Sequence, residues 1–334
     1  MYFSSRILMA IAHYTAKIPY ASIDISQEAF LIKFSVVASL CFAGWAFKIT
    51  KSAAERIISL ILSCVVLVTS LFMMTDKNYS RVSFIDVGQG DCALVETSGK
   101  TVLVDGGNSN EKYDVGRYKI KPYLVKRGIS SIDYAIITHY HMDHFSGILY
   151  LMKNFKIKTL IVSGASNPDD ESNKSLILKT AEEMKIPVYF FYEKDAVKLS
   201  DNAQFTVYSP LRDITYSSND ESLVVKFTTN GVSFLFTGDI EKSGESKIVD
   251  KDIRADVLKV PHHGSHSSGS SEFLESVKPK YAVISCGKNN IYKHPHDETL
   301  QSLKKAGAKI LRTDTDGTIV FIVTKDGKLK APER

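Results

Sequence analysis

The stretch that decides the fold occupies residues 134–144 and reads YAIITHYHMDH. Its first five residues form a short apolar run, which predicts a buried strand. The run is followed at once by His139, His141, Asp143 and His144, in the spacing H-x-H-x-D-H. A turn at a strand end can direct the first two histidines at one metal ion and the other two side chains at a second. Imidazole and carboxylate groups suit such ions, so we expect two divalent transition metals, Zn or Mn.

Three later segments place further side chains that can bind metals after predicted strands. Asp239 ends the string TGD, where an aspartate can bridge two metals or, alternatively, cap the helix that follows. His262 and His263 follow one predicted strand, and His294 follows the next. Ligand sites of layered α/β proteins favour the carboxyl ends of strands. The pattern therefore predicts one site at a shared sheet edge.

Short strands alternate with helical stretches from residue 81 onward. The Asn230-Gly231 pair predicts a tight hairpin turn between two of the strands. We expect strands at 82–87, 92–96, 101–104, 134–138, 159–162, 188–191, 222–228, 232–237, 257–260, 281–285, 309–312 and 318–323, and helices at 171–185, 271–277 and 297–306. This alternation predicts an α/β fold with buried sheets and helices outside.

Two long apolar runs precede this region, at residues 29–49 and 57–75. The first carries two lysines, both near its ends, and the second carries no charge. Each run has about 20 residues, the length that a helix needs to cross a hydrocarbon core of about 30 Å. We therefore expect a membrane region with two transmembrane helices at 1–76 and one folded domain at 77–334.

The loop between the two runs carries Lys48, Lys51 and Arg56 against a single acid, Glu55. Short basic loops stay on the cytoplasmic side of a membrane. The charge pattern therefore predicts a multi-pass protein of the cell membrane, with the domain after residue 76 on the extracytoplasmic side.

Net charge and cysteine content limit the kinds of substrate and of structural site that the chain can have. The net charge of +5 fits a solvated, lysine-rich surface and permits an anionic substrate without requiring one. The four cysteines include no Cys-x-x-Cys pair, which argues against a disulfide framework and a zinc ribbon. We expect all four thiols to pack as small apolar groups.

The metal motif and the strings around it resemble a known family. H-x-H-x-D-H, then TGD, then a late histidine is similar to the metallo-β-lactamase superfamily. DVGQGD at 86–91, LKVPHHGS at 258–265, NIYKHP at 290–295 and RTDTDG at 312–317 resemble the C-terminal domain of ComEC-type DNA internalisation and competence proteins. The resemblance covers about residues 81–323, and the multi-helix channel of those proteins has no counterpart in this sequence.

The resemblance implies an αββα sandwich, the metallo-β-lactamase fold, with a metal site at one edge. The superfamily usually supplies a further histidine before the bridging aspartate, but none occurs between His144 and His262. Either His262 or His263 fills that place, or the site has fewer protein ligands; we favour His263 for contact with the site. The matching positions imply these metal ligands: His139, His141, Asp143, His144, Asp239 and His294.

Other polar side chains are candidates for catalysis and substrate binding. Asp143 or His263 is expected to transfer protons. Asp86 and Asp91 lie in a glycine-rich loop, where they either orient metal-bound histidines or satisfy their own turns. The Asp-Gly-Gly string at 105–107 is interpreted first as a turn. Hydrogen bonding to a substrate is expected from His262, Ser265, Asn219 and Ser222.

These features favour a membrane-anchored metal-dependent hydrolase that uses a metal-bound hydroxide. The resemblance implies a phosphodiesterase or nuclease related to DNA uptake, with DNA or another phosphodiester as substrate and a separate channel protein as partner. A hydrolase of another cell-envelope phosphoester or of a lactone, not acting on DNA, would use the same site. A non-catalytic docking module is the third interpretation, and the intact ligand set argues against it.

Overall fold

The computed structural model describes residues 37–39, 41–45, 48, 52–75, 79–110, 112–165, 167–212, 214 and 216–332. Contacts divide the chain into two units. One comprises residues 1–75 and 124–129, and the other comprises residues 76–123 and 130–334.

The first unit contains a long helix, α1, over Ala53–Thr75. Ser52 and Glu55 begin this helix as a capping box: the Ser52 hydroxyl accepts from the Glu55 amide at 3.2 Å, and the Glu55 carboxylate accepts from the Ser52 amide at 3.5 Å. Among the residues that the structure describes, no helix combines the length and the apolarity that a membrane crossing needs. The expected span at 57–75 falls within α1, and most of the span at 29–49 lies outside the described residues. Both spans stay predictions.

The second unit is built on two large sheets. The first has eight strands: β1 Tyr79–Phe84, β2 Ala93–Thr97, β3 Lys100–Val104, β5 Tyr134–Ile137, β7 Leu160–Ser163, β8 Val188–Phe191, β16 Ile319–Thr324 and β17 Leu329–Lys330. Their order is β17-β16-β1-β2-β3-β5-β7-β8. Pairing is antiparallel from β17 to β3 and parallel from β3 to β8. β4 Ser131–Ile132 and β6 Lys156–Ile157 form a separate short ladder.

The second sheet has seven strands: β9 Ala196–Ser200, β10 Ala203–Ser209, β11 Val224–Thr229, β12 Val232–Phe236, β13 Val257–Lys259, β14 Tyr281–Ile284 and β15 Lys309–Arg312. Their order is β15-β14-β13-β12-β11-β10-β9. The hairpin expected at Asn230-Gly231 joins β11 to β12, and both residues have positive φ, as a tight hairpin turn requires. The strands from β12 to β15 run parallel.

The two sheets pack face to face through aromatic side chains. Phe84 of β1 lies 5.8 Å from Phe236 of β12, and Phe321 of β16 lies 5.9 Å from Phe234, measured between ring centroids. All four rings are buried. Aromatic pairs at such separations contribute about 0.5–1.5 kcal/mol each beyond their buried area. This layer therefore forms the main core of the unit.

Helices cover the outer face of each sheet. α3 (Met142–Asn154) contacts β5 and packs against α4 (Glu171–Glu183). On the other side, Phe273 of α6 (Ser271–Val277) and Leu303 of α7 (Asp297–Lys305) pack with Leu258 of β13. Shorter helices are α2 Lys121–Lys126, which continues a π-helical turn at Gly116–Ile120, α5 Lys242–Glu245 and α8 Thr313–Asp316. The expected α/β fold with two sheets between helices is confirmed.

Several elements differ from the sequence-based expectation. The β9–β10 hairpin was not predicted, although β9 alternates exposed and buried residues as an edge strand does. α3 was also not predicted, because Gly147 interrupts its pattern of good helix formers. β11 begins at Val224 rather than at Ser222, because the Ser222 amide bonds back to the Asn219 carbonyl in a turn.

Gly147 allows α3 to approach the loop after β3 more closely than any other residue would. A Cβ atom at this position would collide with the carbonyl oxygen of Gly106 and lie 2.8 Å from the Ile120 side chain. At an exposed position inside a helix, replacing glycine by alanine stabilises the protein by about 1 kcal/mol. Here we expect Gly147→Ala to destabilise the protein by about 1–3 kcal/mol, since overpacking displaces the helix. Denaturant unfolding measures the change, with the exposed Lys153→Ala on the same helix as control. A stabilised Gly147→Ala variant would contradict this packing.

Candidate metal centre

The metal motif is held by the backbone that joins β5 to α3. The Thr138 amide donates to Asp105 Oδ1 at 2.8 Å, and the Thr138 hydroxyl donates to Asp105 Oδ2 at 2.9 Å. α3 begins at Met142, directly after His141. Asp143 and His144 therefore lie in the first turn of the helix, where the helix dipole favours a carboxylate.

Four side chains converge at this edge. Asp143, His144, Asp239 and His263 each offer one ligand atom, and these atoms lie within 4.8 Å of one another. His144 Nε2 is 3.3 Å from Asp239 Oδ1, and His263 Nε2 is 3.3 Å from Asp239 Oδ2. His263 Nε2 is also 3.2 Å from Asp143 Oδ2. Asp239 lies between the two imidazoles, which suits a bridging carboxylate.

Buried polar atoms without partners test whether this cluster fits a metal. Within the described part of the chain, His139 Nε2, His144 Nε2 and Asp239 Oδ1 are buried and make no hydrogen bond. His144 Nε2 and Asp239 Oδ1 lie 3.3 Å apart, but they do not form a hydrogen bond with each other. An unsatisfied buried polar atom costs about 1–3 kcal/mol. Imidazole and carboxylate atoms that point at a common space fit a divalent transition metal.

The other two histidines of the first motif lie beside this cluster. The ring centroid of His139 is 4.1 Å from that of His144 and 4.6 Å from that of His141. His141 Nε2 lies 2.6 Å from the Ser218 hydroxyl and 3.6 Å from an oxygen of Asp170. Because Nε2 is engaged, Nδ1 is the nitrogen that His141 could offer to a metal.

His294 is placed differently from the final ligand that the resemblance implies. It lies outside the four-residue cluster, with its ring centroid 5.7 Å from that of His262 and 6.2 Å from that of His263. His263 is a member of the cluster, whereas His294 stays a predicted ligand, and its buried Nδ1 makes no hydrogen bond to a described residue. His262 Nε2 is 3.9 Å from Asp239, and its Nδ1 is 3.3 Å from Glu241.

The backbone after β13 explains how two adjacent histidines reach one edge. His262, His263 and Gly264 have φ values of 49°, 53° and 84°, all in the left-handed region. This conformation costs of order 1–3 kcal/mol for a residue other than glycine, and such strain concentrates at functional sites. It turns the two imidazoles out of the strand direction, so that His263 is buried in the cluster and His262 is half-buried.

Two acceptors behind the cluster hold two of its imidazoles. Asp105 Oδ2 lies 3.0 Å from His144 Nδ1. The Ser285 carbonyl oxygen lies 2.9 Å from His263 Nδ1, and Asp91 Oδ1 lies 3.2 Å from the same nitrogen without a hydrogen bond to it. Nδ1 thereby serves as the donor, and Nε2 is the nitrogen of each ring that faces the cluster.

Two buried charges flank this arrangement without touching the cluster space. Lys259 Nζ lies 2.5 Å from Asp91 Oδ2, and both side chains are buried. The ammonium group compensates the charge of the carboxylate that lies beside His263. Asp86, the other aspartate of the glycine-rich loop, instead accepts from the Gly88 amide at 3.0 Å and pairs with Lys119 at 3.3 Å. Its contacts are those of a turn aspartate.

The expected substrate-binding residues make mostly internal contacts. The Ser222 hydroxyl accepts from the Asp239 amide at 3.0 Å and donates to the Asn219 carbonyl at 2.7 Å. The Asn219 side-chain amide donates to Glu241 at 3.3 Å. The Ser265 hydroxyl bonds the Ser267 hydroxyl at 3.0 Å. These contacts position Asp239 and the loop after β13.

Opposite charges buried together shift the pKa values of the cluster. Burial opposes protonation of His144, yet the Asp239 and Asp105 carboxylates raise its pKa well above the usual range. Burial and the neighbouring His144 ring lower the pKa of His139, so this imidazole stays neutral. Burial opposes ionisation of Asp239, but His263 and His144 hold its pKa well below the usual range. A metal that binds His144 must displace a proton, so affinity for metal should fall as pH decreases.

Asp105 and Lys259 are the site residues that the sequence analysis missed. The Asp105-Gly106-Gly107 string has the composition of a turn, and Lys259 stands inside a strand. One signal was available for Asp105: it follows β3, which is the neighbour of β5 in the sheet, so its side chain emerges beside the metal motif. Lys259 gave no comparable signal.

The comparisons with known proteins define the class. Residues 85–288 match the family model described as the metallo-beta-lactamase superfamily. The chain belongs to this superfamily, and the membership together with the cluster makes it a metal-dependent hydrolase. The CmlA beta-hydroxylase E377D mutant has a similar fold, with a TM-score of 0.50 and 13% identity over 84% of this chain and 61% of that one.

Two curated relatives confirm the resemblance to competence proteins. ComE operon protein 3 of Bacillus subtilis (strain 168) is 37% identical over 258 residues, which are 72% of this chain and 33% of that protein. Competence protein ComA of Neisseria gonorrhoeae is 29% identical over 262 residues, 75% of this chain and 33% of that protein. The chain thus spans about a third of the length of the relatives it matches.

We expect Asp105→Asn to lower metal affinity by about 10- to 100-fold, because an amide holds the His144 ring less firmly than a carboxylate does. Asparagine tolerates the left-handed backbone of this position, where φ is 59°. Competition with a chromogenic chelator measures the affinity. Asp86→Asn is the matched control, since that carboxylate bonds only its own turn and Lys119. Equal losses in both variants would remove Asp105 from the metal centre.

Proposed function

We propose that the chain is a membrane-anchored phosphodiesterase that cleaves DNA, with two divalent transition metals, Zn or Mn, at the cluster. The observation that carries the proposal is the convergence of Asp143, His144, Asp239 and His263 around buried atoms that have no protein partner in the described chain. We propose His139 and His141 as the remaining ligands of the first metal, since both rings adjoin the cluster.

Metals bound here would stabilise charge on a phosphoryl oxygen and lower the pKa of a water toward about 7. The side chains of the chain do the rest. Asp239 would serve both ligand sets, and Asp105 and the Ser285 carbonyl keep Nε2 of His144 and of His263 directed at the cluster. His262, half-buried and 3.3 Å from Glu241, is available to contact a substrate oxygen.

A phosphodiester is favoured as substrate by the similarity to two competence proteins, which covers most of the domain. One of the two relatives is named a competence protein, and the resemblance to DNA internalisation proteins implies DNA as the polymer. A separate channel protein is the partner that we propose, because the resemblance is to DNA internalisation proteins. The alternative substrate, another cell-envelope phosphoester or a lactone, is decided by the assay below.

Membrane attachment is supported by the two apolar runs and by α1. Many large apolar side chains of this helix are exposed, from Ile57 at 57% to Val68 at 62%. Exposed apolar surface of that extent needs a partner, and a lipid bilayer supplies one. We place the domain 77–334 outside the cytoplasm, because the basic loop 48–56 stays inside.

Asp239→Asn should lose occupancy of the second metal and at least about 100-fold in the rate of diester cleavage, since the amide carries no charge to bridge two metals. Metal content and hydrolysis are measured on the full chain, with single-stranded DNA and a chromogenic phosphodiester in parallel. Asp256→Asn is the control, because that carboxylate bonds Ser233 and Lys280 at the opposite end of β13.

The outcomes separate the hypotheses. If Asp239→Asn keeps its metal and cleaves like the parent, the proposed mechanism is wrong. If the parent cleaves the small diester but no DNA across several metals and pH values, the nuclease proposal fails and the envelope-ester alternative takes its place.

Topology is tested with reporters. A periplasm- or surface-active reporter fused at the C-terminal end should be active, and the same reporter inserted in loop 48–56 should be silent, because the positive-inside rule places the two sites on opposite sides. Activity at the loop with silence at the C-terminal end would reverse the orientation.

A further inference from the structure

The loop at residues 288–293, called the rim loop below, exposes two large apolar side chains close to the metal cluster. Ile291 is 86% exposed and Tyr292 is 56% exposed. Among the residues that the structure describes, Ile291 is the most exposed of the large apolar side chains. Such surface costs free energy in water, so beside a polar site it indicates contact with a ligand.

The rim loop is braced, which keeps these side chains in the solvent. The Asn290 side-chain amide donates to the carbonyls of Gly287 at 2.9 Å and His294 at 2.7 Å, and its oxygen accepts from the His294 amide at 2.9 Å. The Lys293 amide donates to the Asn290 carbonyl at 3.1 Å. The backbone therefore presents the two apolar side chains in a fixed position, as a preformed binding surface does.

Aromatic rings connect the rim loop to the cluster. The Tyr292 ring stacks on the His294 ring, with centroids 5.6 Å apart and planes 23° apart. The His294 ring lies 5.7 Å from that of His262 and 6.2 Å from that of His263. One ring, that of His294, thus separates the exposed tyrosine from His263 of the metal cluster. This separation is about that between a phosphate and the base of the same nucleotide.

We propose that the rim loop is a nucleobase subsite, in which Tyr292 and Ile291 contact the base next to the scissile phosphodiester. The exposed Lys288 and Lys293 carry positive charge for the phosphates on either side. The substrate class is single-stranded nucleic acid, because only unpaired bases offer their faces for stacking. This inference rests on the proposed phosphodiesterase activity and names the substrate of the same site.

The test compares two single-stranded probes of equal length and equal phosphate charge, one of thymidines and one fully abasic. Binding to the full chain in detergent is followed by fluorescence anisotropy with EDTA present, which prevents turnover. The parent should bind the thymidine probe more tightly than the abasic probe. Tyr292→Ala should weaken binding of the thymidine probe by about 5- to 150-fold and so reduce the ratio of the two affinities. Tyr292→Phe should keep that ratio, since stacking needs only the ring.

Tyr189→Ala is the matched control. Tyr189 is exposed to the same extent, 56%, but lies on β8, an edge strand of the first sheet, whereas the rim loop follows β14 of the second sheet. An equal loss in Tyr189→Ala, or an equal loss on both probes in Tyr292→Ala, would overturn the subsite. If the parent prefers thymidine through Tyr292 but cleaves no phosphodiester with any metal, the subsite stands and the proposed activity fails.

Discussion

The contact between the loop after β3 and the first turns of α3 fixes the position of the metal edge. Asp105 accepts from Thr138 at the end of β5 and holds His144 in α3, while the Gly106 amide donates to the His144 carbonyl at 2.5 Å. The Gly147 amide returns a bond to the Gly106 carbonyl at 3.1 Å. Because neither glycine has a Cβ, the helix lies against the loop, and its first turn faces the second sheet.

Electrostatics link the two sheets at the same edge. Asp91 follows β1, and Lys259 belongs to β13, so their buried ion pair joins the first sheet to the second. A buried ion pair gains little net stability, because both charges lose their water. Its value here is positional: the pair fixes a carboxylate beside His263, and a misplaced His263 ring would leave Asp239 with only one of its two imidazole partners.

The alternation of strands and helices predicted the α/β fold, the family resemblance implied the sandwich, and a short-range pattern predicted the position of the site. The H-x-H-x-D-H spacing after an apolar run placed the motif beyond a strand end, and the structure has His139 just after β5 and His144 in the first turn of α3. The choice among later histidines could not be read the same way. It depends on the left-handed backbone of His262 and His263 and on how far the loop of His294 stands from the cluster, which are properties of packing.

The cluster gathers residues from Asp143 to His263, which lie on α3 and on the loops after β12 and β13. No local segment of the chain can assemble it, because the ligands meet only after the aromatic layer between the sheets has closed. Contacts of such long sequence separation form late and slowly in folding. A metal that needs all of these ligands binds the native state alone, and so adds RT ln(1 + [metal]/Kd) to its stability. Metal uptake would then report completed folding, and a half-folded domain would carry no hydrolytic activity.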